Sequence, residues 1–254
     1  MTLAIDIGNT TTTFGLFTRG RLSAHFSIGT QPSSTPDELA LKLRSLTSGR
    51  AWKDVKHSDV LICSVVPRML SLLVQALNSL GLERLKVVGQ DLDVPLKNRY
   101  RYPEQVGQDR LVGAYAAWRQ LKNDCIVADF GTAVTIDVVT KKGEYLGGVI
   151  APGLEISLDA LATKTALLPK VELRKPPELL GRDTANSIRS GVLFGCAAMC
   201  QGLITQLKAK YAPKAAVVAT GGSSSLISPQ IPAIQHTRPH LVLEGLFQLS
   251  RINS

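Results

Sequence analysis

The sequence is poor in cysteine and in aromatic residues: among 254 residues there are 4 Cys, and Phe, Trp and Tyr make up 5%. No Cys-x-x-Cys pair occurs, and the four cysteines, Cys63, Cys125, Cys196 and Cys200, are expected to be buried thiols. No run of five or six basic residues occurs, which argues against a dedicated nucleic-acid segment. The uncharged stretch 190–207 carries Gly, Ser, Gln and Thr, so it favours a buried helix over a membrane span.

The composition is that of a soluble globular protein, with 44% hydrophobic and 19% charged residues. Its 29 Lys and Arg against 20 Asp and Glu give a net charge of +9, which suits an anionic partner. The amino terminus lacks the basic-then-apolar pattern of a signal peptide, so we expect a reduced, cytoplasmic protein. Trp52 and Trp118 lack interleaved basic residues and are expected to be packing residues.

The first half of the chain predicts a strand meander followed by alternating helices and strands. Thr35-Pro36-Asp37-Glu38 has the pattern of a capping box, and Leu39, Leu43 and Leu46 follow it at helical spacing. The predicted strands are Leu3–Ile7, Thr12–Phe17, Leu22–Ile28, Val60–Val66 and Arg84–Val88, and a second helix is predicted over Pro67–Leu80.

The second half repeats this order. A helix over Asp109–Leu121 leads to strands at Cys125–Phe130, Thr132–Val139 and Tyr145–Ile150, then to helical patterns over 153–163 and 187–210. A strand at Ala215–Thr220 and a helix near His240–Leu249 complete it. The sequence therefore predicts two α/β domains, over residues 1–115 and 116–254.

Each half contains an apolar strand that ends in an aspartate and a glycine turn with a hydroxyl. These are Asp6-Ile7-Gly8-Asn9-Thr10 and Asp129-Phe130-Gly131-Thr132. Glycine lets the backbone approach an anion, and successive amides and hydroxyls donate to phosphate oxygens. A third glycine turn, Thr220-Gly221-Gly222-Ser223, follows another apolar strand and leaves bare backbone for a nucleoside.

This set of turns resembles the phosphate-1, phosphate-2 and adenosine motifs of the acetate and sugar kinase/Hsp70/actin superfamily. Further motifs narrow the resemblance to type III pantothenate kinases over nearly the whole chain. They are Tyr100 with Pro103-Glu104-Gln105-Val106-Gly107-Gln108-Asp109-Arg110, Gly147-Gly148-Val149-Ile150-Ala151-Pro152-Gly153, Leu168-Pro169, and Gly181-Arg182-Asp183-Thr184 leading to Ser190-Gly191.

The resemblance implies ATP-dependent phosphorylation of pantothenate to 4′-phosphopantothenate, the first step of coenzyme A biosynthesis. It implies duplicated ribonuclease-H-like, actin-type domains with ATP in the cleft between them, Mg²⁺ on the ATP phosphates, and a homodimer whose partner subunit helps to enclose the pantothenate pocket. Carried onto this sequence, the ATP-binding positions are Asp6, Ile7, Gly8, Asn9, Thr10, Thr11, Thr12, Thr13 and Thr132. The pantothenate-binding positions are Tyr100, Gly107, Gln108, Asp109, Arg110 and Thr184. Asp129 corresponds to a site for K⁺ or NH₄⁺.

The resemblance makes Asp109 the proton acceptor, and this role agrees with the chemistry. Transfer of a phosphoryl group to a primary alcohol uses a carboxylate within hydrogen-bond reach of the hydroxyl. Arg110 beside it favours the charged form of the carboxylate and is suited to pair with the carboxylate of the substrate. A simpler interpretation of Asp109, as a helix N-cap, is compatible with this role.

Two other functions stay open at this point. One is a nucleotide-binding regulatory protein without kinase activity, which the basic net charge favours and the pair Asp109 and Asp129 disfavours. The other is a phosphohydrolase of the same fold that uses water as the acceptor. Such a hydrolase has no need of the substrate motif between Tyr100 and Arg110.

Overall fold

The computed structural model describes residues 1–46, 55 and 58–252. By their internal contacts, these residues form two compact units. Unit 1 comprises Met1–Pro95, Glu104–Ala116 and Val242–Ser254, and unit 2 comprises Leu96–Pro103 and Ala117–Leu241. The carboxyl-terminal segment thus belongs to unit 1, whereas its place in the chain suggested the second domain. Trp52 lies outside the described residues.

Unit 1 contains a five-stranded mixed sheet in the order β3-β2-β1-β4-β5. Strands β1 and β2 are antiparallel, and β4 and β5 run parallel to β1. The elements are β1 (Thr2–Ile7), β2 (Thr11–Thr18), β3 (Arg21–Gly29), α1 (Pro36–Leu46), β4 (Asp59–Ser64), α2 (Pro67–Ser79) and β5 (Leu85–Val87). Each strand and helix predicted for this half is confirmed.

The two faces of this sheet are covered by different helices. One face buries Leu3, Ile5 and Ile7 of β1 against residues of α1 and α2 such as Leu43 and Leu73. On the other face, Phe17 stacks on Phe247 of α7 (Leu241–Ser250), with ring centroids 4.6 Å apart. Packing of α7 on β2 therefore explains why the carboxyl-terminal helix belongs to unit 1.

The predicted capping box is present at the start of α1. The Thr35 backbone N–H donates to Glu38 Oε2 at 2.8 Å, and the Glu38 backbone N–H donates to Thr35 Oγ1 at 3.2 Å. The two bonds satisfy two donors that a helix start otherwise leaves without a partner.

We expect Thr35→Ala to lower the free energy of unfolding by about 1 kcal/mol, because it removes the hydroxyl half of this box. Thr35→Ser keeps that hydroxyl and serves as the control. The difference is measured by denaturant titration of the two variants and the wild type. Equal midpoints for the alanine and serine variants would contradict the prediction.

Unit 2 contains a six-stranded sheet in the order β11-β10-β7-β8-β9-β6. Its elements, with the helix α3 that is divided between the units, are β6 (Lys97–Asn98), α3 (Gln108–Leu121), β7 (Cys125–Phe130), β8 (Ala133–Val139), β9 (Glu144–Pro152), α4 (Leu154–Lys164), α5 (Thr184–Tyr211), β10 (Ala216–Thr220), α6 (Ser224–Ile227) and β11 (His236–Thr237). The predicted elements are confirmed. The pattern analysis missed the two-residue strands β6 and β11 and the single turn α6, and α5 begins three residues before the predicted range.

The two sheets repeat one topology. The order β3-β2-β1-β4-β5 corresponds to β9-β8-β7-β10-β11, and β1 and β7 have the same length and the same pattern of buried residues. Asp6 and Asp129 occupy the same position, the residue before the last of each strand. The duplication inferred from the sequence is therefore present in the sheets.

Helix α5 is the one helix among the described residues that is long and apolar enough to cross a membrane. Its residues Val192, Leu193, Ala197, Cys200 and Ile204 are buried in the core of unit 2, against one face of the sheet. One side of α5 therefore packs in the core of unit 2, where the sequence predicts a buried helix.

Candidate active site

The phosphate-1 turn is a closed loop between β1 and β2. The Gly8 backbone N–H donates to the Thr11 carbonyl at 3.0 Å, and the Thr30 hydroxyl donates to the Gly8 carbonyl at 2.7 Å. Asn9, Thr10 and Thr11 at its tip are exposed. These three residues are thus the most exposed part of the predicted ATP-binding stretch 6–13.

Three other predicted residues of this stretch, Ile7, Thr12 and Thr13, contact other parts of unit 1 rather than the tip of the turn. Ile7 and Thr12 are completely buried, and the Thr12 and Thr30 hydroxyls are 2.9 Å apart. The Thr13 hydroxyl lies 3.1 Å from the hydroxyl of Ser27. The side chains of Ile7 and Thr12 therefore support the shape of the turn, a role that Thr30 shares and that sequence reasoning missed.

The carboxylates of Asp6 and Asp109 both act electrostatically on the thiol of Cys63. Cys63 is the neighbour of Asp6 in the parallel ladder between β1 and β4 and is completely buried. Burial raises the pKa of the Cys63 thiol well above its ordinary value, and the carboxylates of Asp6 and Asp109 raise that pKa further. The first aspartate of the phosphate-1 motif and the predicted base therefore both interact electrostatically with one buried thiol of unit 1.

Asp109 is the second residue of α3 and is half-buried. Its Oδ1 accepts a hydrogen bond from the Arg110 backbone N–H at 2.8 Å, so it caps part of the helix start. A Cβ placed on Gly107 would collide with that same oxygen and lie 3.6 Å from Val65 Cγ1. The glycine therefore leaves the space that the carboxylate occupies.

We expect Gly107→Ala to lower turnover about tenfold or more, because the added methyl group displaces the Asp109 carboxylate. Gly113→Ala in the same helix is the matched control, because its Cβ would lie at an ordinary 3.8 Å from Val242 Cγ2. Steady-state kinetics and melting temperatures of both variants test the prediction. Equal turnover in the two variants would contradict it.

The residues beside Asp109 have different surroundings. The Gln108 side chain lies over Gly89 in the turn after β5, where a Cβ would be 2.8 Å from Gln108 Nε2. Gly89 has a φ of +82°, which favours glycine at that position. Gln108 therefore ties the start of α3 to the β5 turn. Arg110 is half-buried.

In unit 2, the phosphate-2 and adenosine turns pack against each other at the ends of β7 and β10. Asp129 pairs with Thr220 in the parallel ladder, and the Ser223 backbone N–H donates to the Phe130 carbonyl at 3.1 Å. A Cβ on Gly221, whose φ is +90°, would collide with Asp129 Oδ1. Bare backbone at Gly221 is thus required for the half-buried Asp129 carboxylate.

The glycines of β9 make room for Tyr100, Asp137 and the Gly131-Thr132 turn of unit 2. The Tyr100 ring lies over Gly147, where a Cβ would be 3.0 Å from Tyr100 Cδ2, and the φ of Gly147 is +114°. A Cβ on Gly153 would collide with the Thr132 carbonyl, and one on Gly148 with the Asp137 carboxylate. The 147–153 motif is therefore the support on which Tyr100, Asp137 and the Gly131-Thr132 turn rest.

Thr184 is exposed at the first position of α5. The Asp183 side chain before it accepts from the Asn186 backbone N–H at 2.8 Å and from Asn186 Nδ2 at 2.7 Å. Hydrogen bonds from Asn186 lower the pKa of Asp183, which keeps the cap charged at neutral pH. This cap explains why α5 begins before its apolar periodicity does.

Sequence reasoning missed Cys63, Asp137 and Tyr145. Cys63 ends an apolar strand parallel to β1, and that position is the one signal for it in the sequence. Asp137 and Tyr145 lie inside strands, where the pattern predicts packing residues. Among the described residues, no cluster of three or more His, Cys, Asp or Glu is placed to hold a metal ion by itself.

The fold and these turns define a class. Solved structures similar to the chain include the ethanolamine utilization protein EutJ from Carboxydothermus hydrogenoformans, with a TM-score of 0.57, 17% identity and coverage of 96% of this chain and 88% of that one. MreB5 of Spiroplasma citri, solved with AMPPNP bound, has a TM-score of 0.55 and 12% identity, with coverage of 99% and 96%. The chain has the actin-like ATPase fold.

The family follows from two sequence comparisons. Residues 2–206 match the family model of type III pantothenate kinases. A type III pantothenate kinase from Moorella thermoacetica is 39% identical over 247 residues, which are 97% of each chain. The chain belongs to the type III pantothenate kinase family.

Proposed function

We propose that the protein transfers the γ-phosphoryl group of ATP to the primary hydroxyl of pantothenate and so forms 4′-phosphopantothenate. The observation that carries this proposal is that the chain matches a type III pantothenate kinase over 97% of its length and has Asp6 and Asp109 in one unit, where both carboxylates act electrostatically on Cys63. A carboxylate on the phosphate-1 strand together with a carboxylate at a helix start suits phosphoryl transfer to an alcohol.

In this proposal Asp109 accepts the proton of the attacking hydroxyl, and Arg110 pairs with the carboxylate of pantothenate. Tyr100, Gly107, Gln108 and Thr184 complete the pantothenate site. The Gln108 contact with Gly89 holds the start of α3, so that Asp109 and Arg110 keep their positions relative to the phosphate-1 turn. The amides and hydroxyls at the tip of that turn, together with Thr132, hold the phosphates of ATP.

A divalent metal accompanies ATP in this class of reaction, and the residues present fit Mg²⁺. Mg²⁺ is commonly held by nucleotide phosphates, waters and one or two carboxylates rather than by an all-protein cage. The half-buried Asp6 carboxylate at the phosphate-1 turn suits that arrangement. When bound, Mg²⁺ neutralises charge on the transferring phosphoryl group.

For the monovalent cation, K⁺ or NH₄⁺, we propose Asp129. Its carboxylate lies in the space that the bare backbone of Gly221 leaves, with Thr132 in the same turn. A half-buried carboxylate and a hydroxyl among backbone groups are oxygen ligands of the kind that hard cations prefer. The donor set of this turn is therefore suited to the cation that the family resemblance implies.

We also propose that the protein is a cytoplasmic homodimer. In the isolated chain, unit 2 exposes large apolar side chains at Ile150 (64%), Leu167 (92%), Leu179 (69%) and Leu180 (69%). Apolar side chains this exposed favour burial against a second copy of the chain. Leu179→Asp with Leu180→Asp should give monomers in light scattering, and Leu41→Asp in unit 1, also exposed, is the control. A dimeric double variant would contradict this surface.

The reaction is tested by comparing ADP and free phosphate formed from MgATP with and without pantothenate. A kinase forms ADP only when pantothenate is present, and free phosphate stays low. A hydrolase forms equal amounts of ADP and phosphate without pantothenate. Folded protein that binds ATP and forms neither product would support the regulatory alternative instead.

A further inference from the structure

A buried carboxylate with no predicted role lies between the cation position and the pantothenate position of unit 2. Asp137 in β8 is 2% exposed, and its register partner in β9 is Gly148. Burying a carboxylate costs free energy unless hydrogen bonds or charges compensate. An acid held at such a cost in the middle of a strand suggests a role beyond packing.

Two hydroxyls donate to Asp137. The Tyr145 hydroxyl donates to Oδ1 at 2.7 Å, and the Thr135 hydroxyl approaches Oδ2 at 3.4 Å. Tyr145 is completely buried, and the ladder between β8 and β9 has an irregularity beside it, where Leu146 is the extra residue. Such bulges redirect side chains. The Tyr145 hydroxyl is thereby placed against Asp137.

Thr135 connects Asp137 to the position of Asp129. Thr135 is the direct neighbour of Asp129 in the antiparallel ladder between β7 and β8. Directly opposite residues point to the same face of a sheet, with Cβ atoms about 5 Å apart. The face is the one opposite the core, because the alternate residues Phe130, Val134 and Ile136 lie in the core cluster.

Tyr145 connects Asp137 to the segment that carries Tyr100. The Tyr145 carbonyl accepts from the Arg99 backbone N–H at 2.8 Å, and the next residue, Tyr100, lays its ring over Gly147. The position of β9 at Tyr145 therefore sets the position of the segment that carries Tyr100.

We infer that Asp137 is a positioning residue that serves both ends of this site, by holding Thr135 opposite Asp129 and Tyr145 beneath the Tyr100 segment. The inference rests on the proposed function, in which Asp129 holds the monovalent cation and Tyr100 contacts pantothenate. Asp137 touches neither ligand in this scheme, and its effect passes through the two hydroxyls.

Three variants separate the effect of Asp137 on the cation position from its effect on the pantothenate position. Tyr145→Phe should raise the KM for pantothenate about tenfold with little change in the K⁺ concentration for half-activation. Thr135→Val should raise that K⁺ concentration about tenfold with little change in the KM for pantothenate. Asp137→Asn should raise both. Thr2→Val, which removes another buried hydroxyl near Ser250 in unit 1, is the control for a general loss of stability.

Steady-state kinetics at varied pantothenate and K⁺, with melting temperatures, decide the matter. The inference would be overturned if Asp137→Asn kept the wild-type KM for pantothenate and the wild-type K⁺ concentration for half-activation. It would also be overturned if Asp137→Asn lowered the melting temperature but had the same kinetics as Thr2→Val. If Asp137→Asn does not fold, Tyr145→Phe and Thr135→Val decide it, since each must move its own parameter. Folded wild-type protein that forms no product would overturn the proposed function itself, whereas an active wild type with unchanged variants would overturn this inference alone.

Discussion

Asp109→Asn is expected to lower turnover by about two to four orders of magnitude, with little change in ATP affinity. The asparagine has nearly the same shape but cannot accept the proton of the pantothenate hydroxyl, and general base catalysis contributes about 10²–10⁴-fold. The phosphate-1 turn is held by Thr30 and by its own backbone hydrogen bond, both of which the substitution leaves intact. The loss should therefore appear in kcat rather than in the binding of ATP.

Asp93→Asn is the matched control for this experiment, because Asp93 is an exposed carboxylate of unit 1 outside the site. Turnover at saturating substrates and the Kd for ATP are measured for both variants and the wild type. Turnover in Asp109→Asn equal to that of Asp93→Asn would show that Asp109 serves only as part of the α3 cap.

The second large effect is expected for Asp129→Ala. Removal of this carboxylate should abolish most of the activation by K⁺ and lower activity in K⁺ buffer about 10–100-fold, because the alanine offers no ligand to the cation. The Gly221 backbone that packs on Asp129 loses its neighbour, so a lowered melting temperature is expected as well. Activity is measured over a K⁺ titration at constant ionic strength.

Asp159→Ala is the control for the Asp129 variant. Asp159 is an exposed acid of unit 2 whose contact is a 3.4 Å ion pair with Lys170, a type of pair that contributes little to stability. This variant should respond to K⁺ as the wild type does. A K⁺ response of Asp129→Ala that matches it would place the cation elsewhere.

The periodic and capped elements were predictable because their signals are local. The Thr35 to Glu38 box, the apolar strands and the paired aspartate turns need only a few neighbouring residues to form. The duplication was predictable as well, because each local element can be recognised and their order repeats along the chain. Short strands such as Lys97–Asn98 were not predictable, because two residues carry no period.

The sequence predicts the site residues as members of motifs, but it does not predict the contacts that the fold gives them. The glycines at 107, 147 and 221 belong to recognisable motifs, yet their physical reason lies in residues brought to them by the fold: Asp109, Tyr100 and Asp129. Cys63 and Asp137 have no local pattern that distinguishes them from packing residues. Their surroundings arise from strand register, which links residues far apart in the chain.

The place of α7 illustrates the same limit. Its apolar period predicts a helix, but nothing near it in sequence indicates that Phe247 stacks on Phe17 of β2, about 230 residues earlier. Aromatic stacking and the fit of Gly245 against Val112 and Ala116 place the helix in unit 1. Tertiary packing, rather than chain order, therefore sets the bounds of the two units.

The most direct test of the central claim is the formation of 4′-phosphopantothenate from pantothenate and MgATP by the purified protein. The product is identified by mass in parallel buffers that contain K⁺ or only Na⁺ and Tris. We expect product in K⁺ buffer and much less in Na⁺ and Tris. Folded, ATP-binding protein that forms no 4′-phosphopantothenate in either buffer would contradict the assignment of Asp109 and the reaction together.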